Sequence, residues 1–273
     1  MVDILRLIED AYELYKERWR GVITAFVVIF LIALVFGILN FIISLPGQFL
    51  CNGKESVIIA LLFCISPQII QNVLNFISSL IDIMVTMAVM KPMDEMAGGK
   101  TISGWTGHFS KQVVNSILVI LLRVIVSLIC FAPMIIIIIL NISVLVAWGN
   151  STNFGTLLTG GLLIFFLVLL VCMAIFTIAN FLLTFLEVEV VLGRNGVLQA
   201  GVKSAKLVAN NLVDVLVYSI IWFLISIGLG VVVLLLMCTV CLLPVAYLIG
   251  PLIVVPIELL SKIMLWRKLT ESA

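Results

Sequence analysis

Apolar residues in this chain come in long unbroken runs, at 21–45, 57–90, 113–148, 156–186, 212–237 and 245–266. Each is at least as long as the roughly 20 residues with which a helix rising about 1.5 Å per residue crosses a hydrocarbon layer about 30 Å thick. Strands are excluded by these lengths and by the lack of alternation, since only helices and closed barrels satisfy every backbone group in lipid. The pattern predicts an all-α, polytopic bundle of six transmembrane helices forming one integral membrane domain over 1–273. Two runs, 57–90 and 113–148, exceed a single crossing. Pro67 and Pro133 are expected to break them, leaving 57–66 and 134–148 as short outer-leaflet helices or kinked extensions.

Between the runs lie segments of a different period. Residues 1–20 carry an apolar stripe at Ile4, Ile8, Tyr12, Tyr15 and Trp19, with Arg6, Asp10, Glu13, Glu17 and Arg20 on other faces. Such a segment reads as an amphipathic helix lying in the headgroup region. Residues 195–211 read the same way, with Leu198, Val202, Ala205 and Val208 inward and Gln199, Lys203, Lys206 and Asn210 outward. A shift of 94 residues aligns Gly99, Lys100, Gly107, Ser110, Val114 and Leu118 with Gly193, Arg194, Gly201, Ser204, Val208 and Leu212. This suggests three helical hairpins beginning near 1, 91 and 187.

Composition and charge sharpen the picture. The chain is 64% hydrophobic and 11% charged, with a mean hydropathy of +1.36, against roughly half and a quarter in soluble domains. A net charge of +1 offers no concentrated basic face for nucleic acid. Thirteen Lys and Arg fall in 1–20, 91–112, 187–211 and the tail, whereas the alternate connections hold only Lys54. By the positive-inside rule both termini are cytoplasmic and the location is the cell membrane. The first run is long enough to act as its own insertion signal, so no cleavable leader is expected.

Polar residues inside the runs are the candidates for function. Gln68, Asn72, Asn75, Ser79, Asp82 and Thr86 recur at helical steps, with Gln71 and Ser78 beside them. Lipid penalises such a face, so it is expected to point into the bundle. Thr177, Asn180, Thr184 and Glu187 repeat the idea in the fourth run. Asp82, Arg123 and Glu258 lie at similar depth, and Arg123 is expected to pair with Asp82 or Glu258, because a lone charge there costs several kcal/mol. Two readings stand, interhelical adhesive or a polar pathway, and adhesive is favoured because few carboxylates are unpaired.

Catalytic signatures are absent. His108 sits in a loop without a metal-binding partner set, and no phosphate-binding loop occurs, so neither a metal nor another cofactor is expected. The cysteines Cys51, Cys64, Cys130 and Cys172 read as packing residues, and Cys238 and Cys241 form a CxxC that permits a disulfide or exchange chemistry. Asn150, Ser151 and Thr152 match a short glycosylation pattern that arises often by chance.

The stretch VVLGRNGVLQAGVKS at 190–204, with Gly196, Ala200 and Ser204 at helical spacing, and the connection GGKTISGWTGHF at 98–109 carry a resemblance. The chain resembles a prokaryotic group of six-span proteins similar to the membrane domain attached to some glycerophosphoryl diester phosphodiesterases. That group has an acidic residue directly before its glycine turn, where this chain has Gly193 with Glu187 and Glu189 upstream. The resemblance implies the fold and membrane location but no hydrolase, which in those fusions is a separate soluble domain. The expected role is non-enzymatic: a scaffold or accessory organising membrane lipids or partner membrane proteins. The rival is a transporter or flippase using the Gln68–Asp82 face and Arg123.

Overall fold

The structure is a computed structural model and describes residues 2–50, 57–99, 104–147, 154–237 and 249–271. Every regular element among them is helical: α1 (Ile4–Arg18), α2 (Ile23–Leu50), α3 (Val57–Ala97), α4 (Thr106–Ala147), α5 (Phe154–Leu182), α6 (Leu186–Val191), α7 (Val197–Asn210), α8 (Leu212–Met237) and α9 (Val255–Glu271). Five stretches are long and apolar enough to cross a membrane: Ile23–Asn40, Ile70–Ala97, Gln112–Ile136, Phe166–Val191 and Leu212–Leu236. In the four other than Ile70–Ala97 many large side chains point outward, with Leu31, Ile129, Leu170, Phe223 and Leu234 all exposed. A membrane protein presents such a surface to acyl chains, which solvate Leu and Phe without penalty.

The expected interruptions at Pro67 and Pro133 do not divide the helices. α3 and α4 are each one continuous element, and Pro133 lies inside α4. Ending a helix in hydrocarbon would strand several carbonyls and amides, whereas a proline inside it forfeits one bond. Of the sixth run, 245–266, residues 245–248 lie outside the described residues. Its described part begins with a single π turn, Gly250–Val254, that leads into α9.

Among the described residues the packed core gathers where α1, α9 and the adjoining ends of α2, α3 and α8 meet, the proximal end. Leu7, Phe26, Met90, Met93, Met96, Phe185, Leu260 and Ile263 are fully buried together there. Met87, Met90, Met93 and Met96 recur every three residues on α3, and such unbranched side chains fill irregular gaps between crossing helices. α1 packs along α9, and its buried face shares only Ile4 and Tyr15 with the expected stripe. Ile4, Leu7, Ala11 and Tyr15 are its buried residues, while Tyr12 and Trp19 are exposed. Asp3 caps α1 by accepting from the Arg6 amide at 3.2 Å, and Asp214 of α8 accepts from the Val2 amide at 3.1 Å.

A proline explains the join between α1 and α9. Pro256 has no N–H to offer the Leu252 carbonyl four residues earlier, and the Tyr15 hydroxyl donates to that carbonyl at 2.6 Å instead. Burial pushes the Tyr15 phenol above its ordinary value, so it remains a donor throughout the neutral range.

Candidate functional site

α5 ends at Leu182, and after a turn the chain re-enters a helix as α6, the segment Leu186–Val191. That break frees the Leu182 carbonyl and the Phe185 amide. Ser204 of α7 answers both: its hydroxyl donates to Leu182 O at 2.9 Å and accepts from Phe185 N at 3.1 Å. Ser204 and Ala200 are completely buried, and Gly196 is the N-cap residue of α7. Ala200 and Ser204 therefore belong to the edge by which α7 clamps the α5–α6 break, while Gly196 is exposed and only begins the helix.

The break sets α6 so that two carboxylates point inward, Glu187 at 8% and Glu189 at 6% exposure. Glu187 is held from two helices. Arg123 Nη2 of α4 lies 2.6 Å from one oxygen, and Lys262 Nζ of α9 lies 3.4 Å from the other. Glu189 accepts from Trp266 Nε1 of α9 at 2.8 Å and from Asn195 Nδ2 at 2.9 Å, and Asn195 in turn accepts from Lys203 Nζ at 2.8 Å. Lys262 and Trp266 stand one turn apart on α9, so a single face of that helix meets both acids.

The turn between α6 and α7 is built around these bonds. A Cβ on Gly193 would lie 2.5 Å from the Glu189 carboxylate and 2.7 Å from Asn195 Nδ2, so only glycine fits. Arg194 adopts φ 53°, a left-handed conformation that turns the chain sharply. A second clasp adjoins Trp266 in sequence: Arg267 donates through Nε to Asp94 Oδ1 at 2.7 Å and through Nη2 to the Asp94 carbonyl at 2.8 Å. A guanidinium at the C-terminal end of α3 suits both the free carbonyls and the helix dipole.

The sequence-derived site is only partly assembled. Arg123 pairs with Glu187, not with Asp82 or Glu258. The reason is rotational: runs that are apolar all round do not fix which side of a helix faces its neighbour. Among the described residues Asp82 Oδ1 has no hydrogen-bond partner. Glu258 is exposed and contributes its backbone carbonyl, which accepts from Tyr218 at 3.1 Å and from Ser261 at 2.9 Å.

The polar ladder of α3 points only partly into the bundle: Asn72, Asn75 and Ser79 are exposed, while Asp82 and Thr86 are half-buried. Asn75 accepts from Asn40 Nδ2 of α2 at 2.7 Å, and Gln71 donates to the Asn40 carbonyl at 3.4 Å. Asn180 and Thr177 are exposed and bond back to Phe176 and Met173 on their own helix. Back-bonding satisfies a hydroxyl or amide in lipid without a second helix. The Gln68 side chain, Cys51, Cys238, Cys241 and the triplet at 150–152 lie outside the described residues.

His108 belongs to the first turn of α4 rather than to a loop. Cys130 and Cys172 are buried free thiols, as packing residues should be. No group of His, Cys, Asp and Glu with metal-binding geometry occurs among the described residues. Sequence reasoning missed Lys262, Trp266 and Glu189. The signal was present in two acids closing an apolar run at Leu186–Val191 and a lysine inside the last one. No family model, curated protein or solved structure matches the chain.

Proposed function

We propose that this chain is a non-enzymatic multi-pass protein of the cell membrane. It serves as a scaffold or accessory that organises lipids or partner membrane proteins, with six crossings and both termini cytoplasmic. The observation that carries the reading is the closure of Glu187: both oxygens are taken by cations from α4 and α9, and the carboxylate is buried. A transport pathway requires its charged groups to be reachable from water, whereas a structural joint requires them paired.

The groove of about 410 Å³ between α1, α8 and α9 is lined by Leu5, Ile8, Trp222, Ile225 and Ile257 among others and does not touch Arg123 or Glu187. An even number of crossings is supported by α9 packing on α1 and by the one-sided placement of Lys and Arg. The unpartnered Asp82 Oδ1 favours the second reading, a transporter or flippase.

Full-length protein in vesicles carrying fluorescent phospholipid separates the two. With a scaffold, dithionite bleaches only the outer-leaflet fluorescence, as in empty vesicles. Bleaching of the inner leaflet that disappears in Asp82→Asn would establish the flippase.

A further inference from the structure

α7 is three-sided. Ala200, Gly201, Ser204 and Leu207 are buried against the bundle, and a Cβ on Gly201 would meet Leu122 of α4 at 3.5 Å. A second side carries Leu198, Val202, Ala205 and Ala209 at helical steps, with Leu198 74% and Val202 57% exposed. The third side carries Gln199, Lys203, Lys206 and Asn210, all exposed. Counting Arg194 in the preceding turn, residues 190–213 contain three cations and no carboxylate.

The helix is also tethered. Its 14 residues make a rod about 21 Å long. Five residues separate it from the span Phe166–Val191 and one from the span beginning at Leu212. A helix joined so closely to two span ends lies along the bilayer surface. There its apolar side meets acyl chains and its cations meet the phosphate layer.

We infer that α7 recognises anionic lipid, inserting its Leu198–Val202 side at the interface while Arg194, Lys203 and Lys206 face acidic headgroups. The inference rests on the membrane-scaffold reading and names its lipid partner. Charge complementarity selects this occupant, because every ionisable group between 190 and 213 is a cation, and the short joins to two candidate spans hold the helix close to their ends.

The test uses full-length protein with Leu198→Cys carrying an environment-sensitive fluorophore. It is placed in nanodiscs of phosphatidylcholine alone or mixed with phosphatidylglycerol, and the signal of the equally labelled parent protein is subtracted. Lys203 is tied to Asn195, so the charge is tested at Lys206. The expected result is blue-shifted emission, quenched by shallow spin-labelled lipid, that strengthens with phosphatidylglycerol. Lys206→Gln should lower the equilibrium for burial about fivefold, and Lys206→Arg should preserve it. A probe equally wet in both discs overturns the inference and leaves this side for a protein partner. A probe equally buried in both and indifferent to Lys206→Gln overturns its anionic character. Failure of the unsubstituted protein to enter discs at all would overturn the membrane reading itself, and this inference with it.

Discussion

Glu187 illustrates how a buried charge is made tolerable at the margin of an apolar span. Its neighbours on α6 are Leu186 and Val188, both fully buried, so an unpaired carboxylate there would have neither water nor a polar partner. Arg123 and Lys262 reach it from opposite helices. Removing one partner of a buried pair costs about 3–5 kcal/mol, whereas replacing the whole pair by apolar residues is often close to neutral. Glu187→Gln should therefore lower the melting temperature in detergent most, because it leaves two cations facing each other. Arg123→Met should cost less, since Lys262 remains, and Arg123→Met with Glu187→Met should recover most of the loss. If the double variant is instead worse than both single ones, the cluster is not mainly an electrostatic joint. Arg123 was legible in the sequence as a charge too deep to stand alone, and Glu187 only as the last residue of a polar face. Their partnership was not, because it depends on where α5 stops.

Among the elements, the sequence marked the existence of the helices well and their faces poorly. For α7, Leu198, Val202, Ala205 and Val208 were expected inward; Val208 is buried, but Leu198 and Val202 are exposed and the rest of the buried side is Val197, Ala200, Gly201, Ser204 and Leu207. Soluble helices bury their largest apolar side chains. In lipid the driving force is close packing, so small residues face the bundle and large ones face the acyl chains. In α1, by contrast, large and small residues are buried together, Ile4, Leu7 and Tyr15 beside Ala11. Ser204 belongs to the small-residue edge of α7 and also satisfies two backbone groups released by the α5–α6 break. Ser204→Ala should cost about 1–3 kcal/mol, the penalty of leaving buried backbone groups unpaired, and thermal unfolding in detergent would register it. No loss of stability would mean that the break is satisfied by other means.

At the scale of the molecule, the packed core among the described residues lies at the proximal end, where α1, α9 and the ends of α3 and α8 meet. Beyond it the spans present apolar side chains outward. The six-run pattern was readable because hydrocarbon thickness imposes run length directly, and five of those runs appear as candidate spans. Location of the core at one end was not readable, since residues buried between helices and residues facing lipid are equally apolar. The packing of α1 on α9 brings these two helices to the same side, and in the proposed topology the Lys and Arg distribution makes that side cytoplasmic. Reporter fusions behind Ala273, one fluorescent only in the cytoplasm and one enzymatically active only outside it, test this most directly. Fluorescence with no exterior activity is the predicted result; exterior activity without fluorescence would contradict the proposed topology.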